Sequence, residues 1–204
     1  MKNSVVLFLF IFAGITPVSL LAQQDNLRTQ KENPVLLYVG LGGGINTRGG
    51  NFNTGLTLTS PGGMGGSLQF ISGFVQLDNV PDDYYEGFLR GLTPEHRFTA
   101  LSLNFVKKFI TPKESFRFGF EAGPSWVHCN LVKLELNPEY PEPLEYKYNK
   151  IHTIKNAVGV SLAMRADFPF SRFLGCDLSV FANLNSARSF AGLNFCFDLG
   201  MVRK

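Results

Sequence analysis

Six ionisable residues attract attention first, because each falls on the alternate face of a segment whose other face is apolar: Lys108, Arg117, Glu121, Arg165, Asp177 and Asp198. Both signs occur in comparable number, and charges shut away from water persist only when paired and hydrogen-bonded. The set therefore reads as one interior salt-bridge network. Glu121 is the expected first partner of Arg117; at roughly 13 Å along a strand the two would need a bridging group from a neighbouring strand, for which Asp177 and Asp198 are the candidates. A small-solute or proton pathway is the other chemistry such a set supports.

The remaining candidates point to no reaction. His96, His128 and His152 fall near the outer ends of consecutive segments, where imidazoles can bind a transition metal or titrate near neutrality, but where a mixed polar and aromatic side chain is also simply comfortable. Ser125 and His128 are three apart, on opposite faces of a strand, so they do not make a nucleophile and base. Cys129, Cys176 and Cys196 are odd in number and at no metal-like spacing. The run Gly40-Leu41-Gly42-Gly43-Gly44 sits in a strand pattern with no helix after it, which a phosphate-binding loop requires. No catalytic residue, cofactor or metal ligand is expected.

The elements that position these residues are strands. In 116–127, Phe116, Phe118, Phe120, Ala122 and Trp126 alternate with Arg117, Gly119, Glu121, Gly123 and Ser125; equivalent alternation runs through 98–109, 157–166, 174–184 and 190–201. Phe181 breaks the pattern of its segment. The N-terminal half adds 35–45, 52–59 and 66–77, the last ambiguous because Leu68, Phe70 and Phe74 lie on one face and Ile71, Val75 and Leu77 on the other. The total is eight. Segments of about ten residues with one greasy face and one face of glycine and charge are the mark of a membrane barrel, whose apolar residues face lipid. The expected fold is all-β, an eight-stranded antiparallel up-and-down transmembrane β-barrel over 34–204.

The compartment follows from the leader. Residues 1–22 carry Lys2, an apolar stretch from Val5 to Ile15, a break at Gly14 and Pro17, and a cut expected after Ala22, which is the pattern of a signal peptide on an exported chain. Residues 23–33 then form a short N-terminal segment. No later run of 18 apolar residues appears, and a closed barrel is the other structure that satisfies its backbone in lipid. With a net charge of +3 and scattered basic residues, nucleic acid is not an expected partner.

Connections alternate in length. Short ones lie at Ser60–Gly65, Ile110–Ser115 and Asp167–Arg172; the others are 46–51, 78–97, 128–152 and 185–189. Short periplasmic turns and longer external loops are the habit of such barrels, and an even strand count brings both ends of the barrel chain to the periplasm. The two long loops hold Asp82-Asp83-Tyr84-Tyr85-Glu86 and Glu139 to Tyr148, polar and rich in Tyr and Pro.

Over residues 33–204 the chain resembles the family of small eight-stranded outer-membrane β-barrel proteins. Gly192-x-x-Phe195-x-Phe197 looks like that family's terminal-strand assembly signal, although seven residues follow Phe197 and Phe190 stands where a polar residue is usual. The resemblance implies an outer-membrane location, with outer-membrane lipid and the barrel assembly machinery as partners. Eight strands enclose an interior just wide enough for side chains to fill, which disfavours a channel. The expected function is a non-enzymatic barrel presenting loops 78–97 and 128–152 to an extracellular ligand or protein. Rivals are a lipid-modifying enzyme at the rim, a small-solute channel, and a soluble periplasmic barrel with a ligand cavity.

Overall fold

A computed structural model describes residues 35–77, 79–81, 84, 94–111, 115–138 and 147–203. The leader, the 23–33 segment, Asp82, Asp83, Tyr85 and Glu86 of the second external loop, and 139–146 of the third lie outside the described residues. Eight strands follow one another: β1 (Leu36–Asn46), β2 (Gly49–Thr59), β3 (Met64–Gln76), β4 (Glu95–Ile110), β5 (Arg117–Leu136), β6 (Tyr148–Pro169), β7 (Leu174–Asn185) and β8 (Phe190–Met201). Each pairs antiparallel with the next, and β1 pairs with β8 from Leu37 opposite Met201 to Asn46 opposite Gly192, closing the barrel.

The closing seam explains the glycine run in β1. A Cβ at Gly42 would lie 2.0 Å from the Phe195 carbonyl oxygen, and one at Gly44 1.8 Å from that of Leu193. Only a residue without a side chain lets the two strands approach so closely.

The alternation read from the sequence is the alternation of exposure. Leu103, Phe105 and Val158 are 64%, 60% and 76% exposed, with Phe109, Trp126, Phe195 and Phe197 beside them on the outer wall, whereas Lys108, Arg117, Glu121, Arg165, Asp177 and Asp198 are all buried. In water such a wall would leave a continuous apolar belt open to solvent and bury its charges, the reverse of a soluble barrel. In lipid the same wall is the stable one.

Three sequence expectations need correction. First, the third external connection is not a loop over 128–152. β5 and β6 stay paired from Arg117 opposite Asp167 to Leu136 opposite Tyr148. Beyond the membrane water lies on both sides, so the apolar and polar alternation that marks a lipid-facing strand fades while the backbone ladder continues. Second, the 46–51 connection shrinks to Thr47 and Arg48 between β1 and β2. Third, the inner face is not polar throughout: Ile71 and Val75 of β3 and Phe181 of β7, which blur the pattern, are buried inside the barrel.

Candidate functional site

The barrel interior has two layers. The layer nearer the short turns holds the charges. The Lys108 ammonium, 1% exposed, donates to the Tyr38 hydroxyl and to the Asp167 carboxylate. Further around the same inner wall, Arg165 bridges two acids, with Nε 3.1 Å from Glu121 Oε1 and a guanidinium nitrogen 3.3 Å from Asp177 Oδ2. Glu121 is held in turn by the Ser67 hydroxyl at 2.8 Å, and the Asn104 amide donates to Ser67 at 3.5 Å. Ion pairing offsets part of the cost of burying these charges, while Arg165 Nε, Glu121 Oε1, Asp167 Oδ1, Asp177 Oδ1 and Asp198 Oδ1 make no hydrogen bond among the described residues.

Glu121, the residue expected to pair with Arg117, is paired with Arg165. Arg117 sits directly across the ladder from Asp167. Glu121 stands opposite Ala163 and Arg165 opposite Gly119, so Glu121 and Arg165 are diagonal neighbours about 7–8 Å apart, within reach of a long side chain, whereas two residues four apart on one strand are separated by roughly 13 Å. Asp198 is buried at the same level, its Oδ1 3.2 Å from where a Cβ on Gly40 would stand. A cavity of about 10 Å³ between Gly40, Asn53, Gln69, Arg165 and Cys196 has room for roughly one water.

Tyr38 and Asp167 belong to this network and are not among the sequence candidates, which place Asp167 in the turn after β6. Extending the parity of Ala163 and Arg165 by one step puts it on the inner face, so the signal is present in the sequence.

The layer nearer the long connections is apolar. Phe98 stacks on Phe190 with ring centroids 4.1 Å apart, and Phe181 meets Phe190 edge-on at 6.3 Å. Ile71, Val75, Ala100, Val127, Cys129 and Ala163 complete the cluster of buried residues. Phe190, which departs from the usual polar residue of the assembly signal, is thus a central piece of this plug. Gly192 faces Asn46 across the closing seam, while Phe195 and Phe197 lie edge-to-face on the lipid side, 5.1 Å between centroids.

The histidines do reach the external rim, but on different faces. His96 is buried and accepts the Val132 N–H at Nδ1, 3.0 Å, just where β4 stops pairing with β5. His128 and His152 point outward and share hydrogen bonds with Asn156 at 2.8 Å and Asn130 at 3.1 Å. Among the described residues no group of three or more His, Cys, Asp or Glu is gathered to hold a metal.

No protein-family model matches the chain, and no curated protein sequence does. Solved structures do. The chain is similar to a major outer membrane protein from Thermus thermophilus, at 17% identity and a TM-score of 0.51, over 82% of this chain and 99% of that one. The fold is that of the outer-membrane β-barrels. Two further similar structures are the N-terminal β-barrel domain of Pseudomonas aeruginosa OprF (13% identity, TM-score 0.47, 80% of this chain and 96% of that one) and Neisserial surface protein A (6%, 0.49, 81% and 95%). The closed wall with its apolar belt is the surface of a barrel that crosses a membrane with its strands. Short turns lie at one end of the wall and long connections at the other, the arrangement in which such barrels keep the turns on the periplasmic side.

Proposed function

We propose that this outer-membrane barrel is non-enzymatic and that its working part is the ribbon formed by the outer ends of β5 and β6. One observation carries the reading. β4 pairs with β5 only as far as Asn130, and β7 pairs with β6 only as far as Gly159, yet β5 and β6 remain paired to Leu136 and Tyr148. The far edge of β6 from Tyr148 to Val158, about 36 Å long at 3.3 Å per residue, has no second strand beside it among the described residues. The β5 edge is finished at its base by His96. An unpaired strand edge is a template for an added strand, and a fold that kept one without use would risk aggregation.

Composition supports a protein partner. The exposed β6 stretch Lys150-Ile151-His152-Thr153-Ile154-Lys155 mixes β-branched residues with lysines, which repel a second copy of the same edge and attract an acidic strand. Tyr84 of the second external loop packs against Tyr148, centroids 6.1 Å apart, beneath the Lys150 ammonium at 5.9 Å, so Tyr84 adds an aromatic ring to the ribbon's surface. Binding of the folded barrel to arrays of extended peptides tests this. Acidic, β-prone peptides should be retained and basic ones not, and Lys150→Glu with Lys155→Glu should reverse the preference. Binding indifferent to both changes would contradict the reading.

A further inference from the structure

The outer wall of β3–β6 changes character abruptly along three successive cross-strand rows. The lower row, Phe70, Leu101, Trp126 and Val158, is wholly apolar; the next, Ser72, Thr99, His128 and Asn156, is wholly polar; the third is Phe74, Arg97, Asn130 and Ile154. Polar side chains on a lipid-facing wall are stable only where headgroups replace hydrocarbon, and a Trp at the last apolar row is the usual marker of that boundary. Above the boundary the wall is concave: an open groove of about 580 Å³ is lined by Phe52, Phe74, Arg97, Thr99, His128 and Asn130.

We infer that this groove seats the sugar headgroup of an outer-leaflet glycolipid, whose acyl chains run down over Trp126 and Leu101. The charge balance selects the headgroup. The guanidinium in the groove, Arg97, is paired through Nε with Glu95 at 3.0 Å, so a phosphate would meet a carboxylate as well as a cation. The other polar groups are hydroxyls, amides and an imidazole: Ser72 and Thr99 lie 3.4 Å apart and His128 is bonded to Asn156. Such a set both donates and accepts, as a neutral ring of hydroxyls requires. The half-exposed rings of Phe52 and Phe74 offer apolar faces to the C–H side of a sugar. The apolar row immediately below favours a lipid over a free saccharide, because it receives the chains attached to the headgroup.

Trp126 is the only tryptophan in the chain, and its ring lies 6.1 Å from that of His128, so its fluorescence reports which lipid occupies the groove. The folded barrel is reconstituted in phosphatidylcholine vesicles containing, at equal mole fraction, a brominated-chain monogalactosyl diacylglycerol, phosphatidylglycerol or phosphatidylcholine. The galactolipid should quench Trp126 several-fold more than either phospholipid. Thr99→Val and Asn130→Ala, each checked for folding by its gel shift on heating, should abolish that excess while leaving quenching by phosphatidylcholine unchanged. Equal quenching by all three lipids, or an excess that survives both substitutions, overturns the seat. An excess for phosphatidylglycerol overturns the sugar in favour of an anion. The inference rests on the membrane orientation of the wall, and quenching by none of the three would overturn that orientation instead.

Discussion

The two layers inside this barrel are built from the same alternating positions yet hold by opposite means. Near the short turns the inward residues include Tyr38, Lys108, Glu121, Arg165, Asp167 and Asp177, and each contact among them has a specific partner. Near the outside they are Ile71, Val75, Phe98, Val127, Phe181 and Phe190, which need only volume. A charged layer penalises any slip of register, because a one-residue shift turns every ion into lipid. An apolar layer tolerates small adjustments and excludes water beneath the ribbon. The difference suggests a division of labour in which the lower layer fixes the barrel and the upper one carries a surface free to vary.

That contrast can be broken in order of expected effect. The largest loss should follow Arg165→Met, which leaves Glu121 and Asp177 buried without their shared cation at a cost of about 3–5 kcal/mol. Combining it with Glu121→Gln and Asp177→Asn should recover much of the loss in urea unfolding from lipid vesicles. Simple additivity would mean that these side chains are separately hydrated and that water enters the barrel.

Next is the outer wall, common to both layers. Leu103→Arg, near the middle of the belt, should cost about 2–4 kcal/mol in the same assay. A smaller effect, about 1 kcal/mol, is expected for Phe190→Leu, which keeps apolar volume but loses the stacked and edge-on ring pairs with Phe98 and Phe181. A loss as large as that of Arg165→Met would show the upper layer to be as demanding as the lower. Smallest is Lys133→Ala on the ribbon, whose ion pair with Glu135 stands in water at 2.9 Å; the unfolding midpoint should not move measurably.

How much of this is legible in the sequence differs between the same regions. The lower layer can be read because its residues are charged and their neighbours are greasy: Lys108, Arg117, Glu121 and Arg165 announce the inner face by parity alone. Their partners cannot, since pairing depends on how far each strand is staggered against the next, and period-two alternation is silent on stagger. The upper layer is hidden for a simpler reason. When both faces of a strand are apolar, as at Phe70, Ile71, Phe74 and Val75, alternation disappears although the strand remains. The ribbon is hidden by the converse, residues 149–156 being exposed on both faces. The polar row of Ser72, Thr99, His128 and Asn156 needs the register itself, because its members are far apart in the chain.

The central claim is the assignment of faces, and one measurement addresses it most directly. In a chain cleared of Cys129, Cys176 and Cys196, single cysteines are placed by Ser102→Cys, Leu103→Cys, Asn104→Cys and Phe105→Cys, and the folded barrel is exposed in vesicles to a membrane-soluble maleimide. Cysteines at 103 and 105 should react, while those at 102 and 104, on the buried face, should stay protected until unfolding. Reaction at 102 and 104 with protection at 103 and 105 would turn the barrel inside out and contradict the account.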